Sequence, residues 1–388
     1  MSTSTQCVSL IEHFGTVSDP RINRTRRHNL IDILVIGVCA VISGADDFVH
    51  MALFGEAKLE WFKARLDLPN GIPSHDTFAR VFALLDPQGL EKAFLGWVQA
   101  VQSLASNDQA NPDSGACKEE IVSLDGKTVR RSHDAVRSKS AIHMVSAWAT
   151  KARLVLGQVK VDDKSNEITA IPDLLDLLDV TGCLITIDAM GCQVEIAEKI
   201  VEHKADFMLA LKGNQPTLEA DVEDYFRTAP ADELVKKITV EKGHGRIETR
   251  IYTASKTVEW ITGSKSYPGQ PKFKNINTIV KVVNQTEYPD RCTFDTRLYI
   301  SSAALNIERI AAGIRGHWGV ESMHWLLDVA FGDDLSRYRT GHGAKNMAVV
   351  RRFALGLVRA NKTKKSVKTK RKSAGWNTNF LLELLQIK

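Results

Sequence analysis

Two acids in this sequence stand in the same setting. In residues 119–132 (EEIVSLDGKTVRRS) an apolar run ends on Asp125, followed by Gly126; in residues 183–189 (CLITIDA) another ends on Asp188, followed by Ala189. Short apolar runs bounded by turn formers read as buried strands. In an open sheet, ligands collect at the carboxyl ends of the strands. Two carboxylates there, on neighbouring strands, suit hard divalent cations. Magnesium takes oxygen ligands and commonly uses one or two carboxylates together with substrate phosphates. Two such ions activate a water or a 3′-hydroxyl and stabilise the leaving oxygen of an in-line phosphoryl displacement. Taken alone, either aspartate reads first as a turn former.

Such a cage needs a third acid. Residues 314–334 (IRGHWGVESMHWLLDVAFGDD) read as a helix on which Glu321 has His317 one turn before it and Trp325 one turn after. Trp318, Trp325, Leu326 and Val329 supply packing; Asp328, Asp333 and Asp334 are rival acids. His317, Glu321 and His324 share a face, as a zinc site requires, but no cysteine or further histidine stands nearby in sequence to complete it. Lys127, Arg130, Lys212, Asn214, Arg315 and His317 are candidates for contacts to substrate phosphates. Solvated charges at strand and helix ends are the plainer reading of each. Lys212 and Asn214, in LKGNQ at 211–215, stand at a strand's carboxyl end.

The elements that must position these groups follow from periodicity. The first ~105 residues read as helical, with apolar positions at helical spacing and frequent stop signals. Ser74 opens a helix that turns Phe78, Val81, Phe82 and Leu85 to one side; Asp86-Pro87 starts another with Leu90, Phe94, Val98 and Val101 inward. The first of these, after a Gly-Ile-Pro turn, fits either a plain bundle or the second helix of a helix-turn-helix. Residues 106–118 (SNDQANPDSGACK) read as a linker. Then come strands at 121–124, 142–149 and 154–161 as an antiparallel meander, a helix at 168–178 and a strand at 183–187. A helix at 194–203 and a strand at 207–211 follow. Continuous apolar strands alternating with helices indicate a sheet covered on both faces. Hairpins at 239–253 and at 278–283 with 294–301 interrupt this pattern, and a long helical region runs, with breaks, from Asn306 to about Asn361.

The 388 residues are 44% hydrophobic and 25% charged, an ordinary globular composition long enough for two or three domains. The net charge of +5 is unevenly spread: residues 351–372 hold ten Lys or Arg and no acid. That run, and the cluster Arg21, Arg24, Arg26, Arg27 and His28, suit a polyanion or are solvated charge. The six cysteines form no C-x-x-C pair, so neither a disulfide scaffold nor a zinc ribbon is expected and a reducing cytosol fits. The apolar run 31–43 is too short for a membrane span of ~20 residues and reads as a buried helix.

Strand-Asp125-Gly-Lys, strand-Asp188-Ala-Met-Gly and His317-Trp318-x-x-Glu321 together resemble the bacterial insertion-sequence transposases of the ISAs1 type. These include the H-repeat-associated proteins, within the DDE group. The resemblance extends from PSHDTFARVF through LKGNQ to GHGAKNMAVVRRFAL. It implies an RNase H-like α/β catalytic domain at 118–345 with a β-rich insertion at about 215–304. A helical, DNA-binding N-terminal domain at 1–108 precedes it, and a basic C-terminal helix and tail at 346–388 follow. It further implies Asp125, Asp188 and Glu321 as catalytic metal ligands, two Mg²⁺ or Mn²⁺ ions per active site, and cleavage at element ends with 3′-OH strand transfer. Terminal inverted repeats and target DNA are the implied partners, with self-association in the DNA complex, no membrane, and a cytoplasmic, nucleoid-associated location. Alternatives are a domesticated or inactive DNA-binding relative and a metal-dependent nuclease without strand transfer. One departure stands out. The related IS4 group carries Tyr-x2-Arg-x3-Glu-x6-Lys, whereas this chain has Ile314, His317 and Asp328 at those places. Arg315, Arg337 and Arg339 are candidate substitutes.

Overall fold

The apolar run near the N-terminus organises everything that packs on it. In the computed structural model, which describes residues 10–107, 120–133, 141–151, 154–161, 167–243, 245–262 and 273–385, that run is a helix buried on every side. The N-terminal helices are α1 (Leu10–Phe14), α2 (Leu30–Ile42), α3 (Phe48–Ala57), α4 (Leu59–Lys63), α5 (His75–Leu84) and α6 (Pro87–Asn107). Asp47 and Ser74 cap α3 and α5 by accepting from the amides of His50 and Thr77, which satisfies donors that a helix start leaves open. Phe78, Val81 and Phe82 of α5 and Leu90, Phe94 and Trp97 of α6 face the core around α2. The side chains of Val98 and Val101, and the linker beyond residue 107, lie outside the described residues. Residues 64–74 separate α4 from α5, too long for the three- or four-residue turn of a helix-turn-helix. The bundle reading holds.

Next come β1 (Ile121–Val129), β2 (Ile142–Ala149), β3 (Leu154–Lys160), α7 (Glu167–Asp176), β4 (Leu184–Ile187), α8 (Val194–Glu202), β5 (Asp206–Leu211) and α9 (Pro216–Thr228). Then follow β6 (Val235–Gly243), β7 (Arg246–Ser255), α10 (Glu259–Thr262), β8 (Thr278–Glu287) and β9 (Cys292–Ser301). Among the described residues these nine strands form one sheet in the order β3-β2-β1-β4-β5-β9-β8-β7-β6. The first three make the expected antiparallel meander, and β1, β4 and β5 run parallel. The two later hairpins do more than interrupt the pattern, since β9 pairs antiparallel with β5 and so extends the same sheet. A second correction concerns β1, which continues five residues past Leu124, paired with β2 through Val129. Asp125 therefore sits within β1, at the point where its pairing with β4 stops.

Helices α7 and α8 cover one face of the sheet, and α11 (Ile307–Phe331) crosses the other. Asn306 caps α11, and Gly332, left-handed at φ +60°, ends it. Three glycines let α11 lie close to the strands. A Cβ at Gly313 would stand 2.7 Å from Leu184 Cδ2, at Gly316 3.1 Å from Thr150 Cγ2, and at Gly319 3.0 Å from Trp148 Nε1. The other half of α11 buries Val320, Met323, Leu327 and Phe331 in the N-terminal helical core.

The C-terminal helices α12 (Gly343–Ala360), α13 (Val367–Trp376) and α14 (Thr378–Leu384) belong to that same core. The expected basic tail is thus partly interior. Arg351 pairs with buried Asp333 at 3.1 Å, Lys370 donates to the carbonyls of Val358 and Asn361, and Arg371 donates to Val41 O. Arg352 is buried as well; Lys362, Lys364, Lys365, Lys368 and Lys372 remain exposed. Among the described residues no helix is long and apolar enough to cross a membrane. Cys39, Cys192 and Cys292 are free thiols.

Candidate active site

Register places the two strand acids side by side. Ser123 lies opposite Thr186 and Leu124 opposite Ile187 in the parallel β1–β4 pair, so Asp125 and Asp188 are the next residues on adjacent strands. Alternation along a strand turns Ser123 and Asp125 to one face, the face that α11 crosses. There Thr186 Oγ1 donates to Ser123 Oγ at 2.9 Å and lies 3.0 Å from His317 Nδ1. With the Thr186 proton committed to Ser123, the imidazole donates its Nδ1–H, and Nε2 keeps a lone pair.

Electrostatics show what His317 faces. Burial pushes its pKa down, against the opposing pull of Asp125, Asp188 and Glu321. A neutral imidazole thus stands within the field of all three acids. Asp188 is pushed up by burial and then by the charge of Asp125, with Glu167 adding in the same direction. The Gly191 amide, 3.4 Å from Asp188 Oδ1, and His317 oppose that rise. Asp188, His317, Trp318, Glu321 and Lys212 line one cleft of about 350 Å³.

Asp125 is held from two sides. Its Oδ1 accepts from the Gly126 amide at 2.9 Å, and its Oδ2 is 3.3 Å from His324 Nδ1. Gly126 is an in-strand residue rather than a turn, and its missing side chain matters on the opposite face. A Cβ there would stand 2.1 Å from Glu167 Oε1 and 2.6 Å from His143 Nε2. These two are joined at 2.6 Å, and Thr128 Oγ1 holds the other imidazole nitrogen at 2.7 Å.

The candidate phosphate contacts separate into distinct groups. Lys127 is buried and bound to Asp328 Oδ1 at 2.7 Å and Asp334 Oδ1 at 3.2 Å, so its charge is neutralised within the protein. Asn214 donates to Ala189 O and Cys192 O, and Gln215 Nε2 to Cys192 O at 3.0 Å. Asn214 therefore pins the turn after Asp188. Arg315 points to β6, paired with Glu241 at 3.0 Å. Lys212 is exposed in the acidic cleft. The Arg130 side chain is 81% exposed, with Asp334 at 3.5 Å. Of the rival acids, Asp333 is taken by Arg351, and Asp328 and Asp334 by Lys127.

Glu167, whose charge acts on Asp188, its partner His143, and His324 beside Asp125 add to this neighbourhood. Only His324 carried a signal, its helical spacing from Glu321, and that signal pointed to zinc. The zinc face does not form: His317 turns to Thr186 and His324 to Asp125. No three His, Cys, Asp or Glu side chains among the described residues close into a metal cage. The donor chemistry nonetheless suits a hard cation, because the mutual repulsion of Asp125 and Asp188 is what a divalent ion relieves.

Comparison with known proteins follows this geometry. Residues 11–98 match the family model described as DDE_Tnp_1-associated, and residues 116–357 match the one described as Transposase DDE domain. "Putative transposase YncI" of Escherichia coli O157:H7 is 40% identical over 385 residues, covering 97% of this chain and 94% of the relative. "H repeat-associated putative transposase YhhI" of Escherichia coli K12 is 37% identical over 391 residues, 97% of each. A piggyBac transposase synaptic complex with hairpin DNA overlays 98% of this chain and 78% of its own at 11% identity, but its TM-score of 0.39 carries no weight. With residues 116–357 matched by the transposase model and these relatives covered almost end to end, the chain belongs to the DDE transposase family.

Proposed function

We propose that this protein is an insertion-sequence transposase of the ISAs1 type that cuts DNA at the ends of its element and joins the freed ends to target DNA. The observation that carries this reading is geometric: β1–β4 register sets Asp125 beside Asp188, and Asp188 lines one cleft with His317 and Glu321. The strands from β1 to β5 read as an RNase H-like catalytic core, and β6–β9 as its insertion. The N-terminal helices read as a DNA-binding part. Asp125, Asp188 and Glu321 would hold divalent Mg²⁺ or Mn²⁺ ions, which activate oxygen nucleophiles and stabilise charge on the phosphate.

The chain's own residues do the positioning. Lys212, exposed beside Asp188, and Arg130, exposed past the end of β1, hold the scissile strand through its phosphates. His317, kept uncharged, lies among the acids without competing as a cation. Each chemical step is an in-line displacement at phosphorus: water breaks the strand and leaves a 3′-hydroxyl, which then displaces a 3′-oxygen in target DNA. The protein acts in the cytoplasm on nucleoid DNA and self-associates when it holds paired ends.

Incubation with DNA carrying the element end and Mg²⁺ tests this. Nicking at the end and a joined product are expected from the wild type, and neither from Asp125→Ala, Asp188→Ala or Glu321→Ala. Cleavage unchanged in all three variants would place the active site elsewhere. Indiscriminate cutting without a joined product would make the protein a plain nuclease.

A further inference from the structure

The basic cluster at residues 21–28 divides, in the fold, into internal and free charges. Arg21 is buried, bound to Asp19 at 2.8 Å and to His28 O. Arg26 donates to the carbonyls of Arg21 and Asp19. Those two arginines tie the loop together. Arg27 is exposed, and only its backbone carbonyl is used, as acceptor for Asn70 Nδ2. Across a cleft of about 720 Å³ from it stands Arg80, exposed on α5. Neither Arg27 nor Arg80 pairs with an acid among the described residues.

His28, Asn70, Ser74 and Thr77 line the same cleft, and no carboxylate does. The arginines are felt inside it: His28 is held below its usual pKa first by burial, which a Gly71 backbone hydrogen bond opposes, and then by the charges of Arg21 and Arg27, which Asp32 opposes. Hydroxyl, amide and guanidinium groups without an acid form a lining suited to phosphodiesters, whose non-bridging oxygens accept hydrogen bonds and share one negative charge per group. Exposed arginines lacking acid partners on both walls give two points of attachment.

The cleft is also fixed relative to the acids of the active site. Asn346 Nδ2 on α12 donates to Phe82 O and Leu85 O at the end of α5, and the His342 amide donates to Ala83 O at 2.9 Å. α12 in turn shares the helical core with Val320, Met323 and Leu327 of α11, the helix that carries Glu321.

We infer that the cleft between Arg27 and Arg80 is a docking groove for the sugar-phosphate backbone of duplex DNA, separate from the acidic cleft. It is read through phosphates, so it serves affinity rather than sequence choice. The inference rests on the proposed DNA substrate, although its test does not require cleavage.

The test uses the full chain, without divalent metal, and a fluorescently labelled duplex titrated at several salt concentrations. Arg27→Ala/Arg80→Ala should weaken binding roughly tenfold or more at moderate salt, for element-end and unrelated duplexes alike. The slope of log affinity against log salt should become shallower by about two phosphate contacts. Arg27→Lys/Arg80→Lys should retain most of the slope, and thermal melting should match the wild type for both. Unchanged affinity and slope in the alanine variant would overturn the inference, as would a loss confined to one sequence. If the wild type bound DNA through this cleft yet never nicked it, the cleft would stand and the catalytic reading would fail. If the alanine variant bound normally while Asp125→Ala abolished nicking, the reverse would hold.

Discussion

Lys127 Nζ, on β1 two residues past Asp125, lies 2.7 Å from Asp328 Oδ1 on α11 and 3.2 Å from Asp334 Oδ1. A cation buried under α11 is thus shared between two carboxylates from a stretch about 200 residues away. It fixes the helix at the end nearest Glu321, while the three glycines fix it over the strands. Removing the cation leaves two acids facing each other, a like-charge pair without its counterion. Lys127→Ala should therefore destabilise the protein by about 2–3 kcal/mol, less than a fully buried broken pair because both carboxylates stay partly exposed. Urea unfolding measures this. A loss below about 0.5 kcal/mol would make Lys127 a surface charge, as the phosphate-contact reading required.

Glu91 on α6 accepts from the Gln158 amide on β3 at 2.9 Å, at the seam between the helical core and the sheet. Burial pushes its carboxyl up to about 7, against the opposing pull of Lys345 and Arg352. The folded state therefore binds a proton that the unfolded state, near the ordinary 4.5, has released. The resulting stability is fully present below about pH 4.5 and is lost as pH rises through 7. Glu91→Gln should abolish the loss, so the variant gains on wild type by up to about 3 kcal/mol between pH 5 and 8. The difference between the two denaturation curves isolates this group from other titrations. A constant difference would mean that Glu91 keeps its charge, paired to buried Arg352.

The sequence made the strand acids legible because strands and turns are local. Apolar runs ending on Asp125 and Asp188 needed no knowledge of what lay above them. The face-to-face arrangement with α11 was less visible. Gly313, Gly316 and Gly319 recur every three residues, but spacing does not reveal that Leu184, Thr150 and Trp148 lie beneath them. Pairing across long separations was harder still: nothing near Lys127 points to Asp328, and nothing near Gly126 points to His143 and Glu167. Charge composition misled at the C-terminus, where Arg351, Arg352, Lys370 and Arg371 count as basic residues yet are buried. A count of charges carries no information on which of them find internal acceptors.

Asp188 is raised by burial and by the negative charge of Asp125. Its contribution to stability is present below about pH 3.8 and lost as pH rises through its folded value, so at neutral pH the ionised group opposes folding. Asp188→Asn should raise the melting temperature of the metal-free protein at pH 7.5 while abolishing cleavage. Added Mg²⁺ should raise the melting temperature of the wild type and leave the variant nearly unmoved. Thermal melts with and without Mg²⁺ provide both readings. A variant that melts lower than wild type and responds equally to Mg²⁺ would remove Asp188 from the cation site.

Asn214 and Lys212 stand two residues apart after β5, but their contacts differ. Asn214 ties the turn after Asp188 through Ala189 O and Cys192 O, whereas Lys212 is exposed in the acidic cleft. The first should govern where the carboxylate points and the second how the DNA strand is held. Asn214→Ala should therefore lower the single-turnover cleavage rate by about 10- to 100-fold, the scale of a misplaced catalytic group, with DNA affinity within about twofold of wild type. Lys212→Ala should weaken binding of all duplexes and reduce the salt slope by about one phosphate contact, while cleavage at saturating DNA falls less. Gel-shift titration and single-turnover nicking on the same two proteins separate the roles. If Asn214→Ala lost affinity with an unchanged rate, its amide would be contacting DNA, and the two neighbours would share one function.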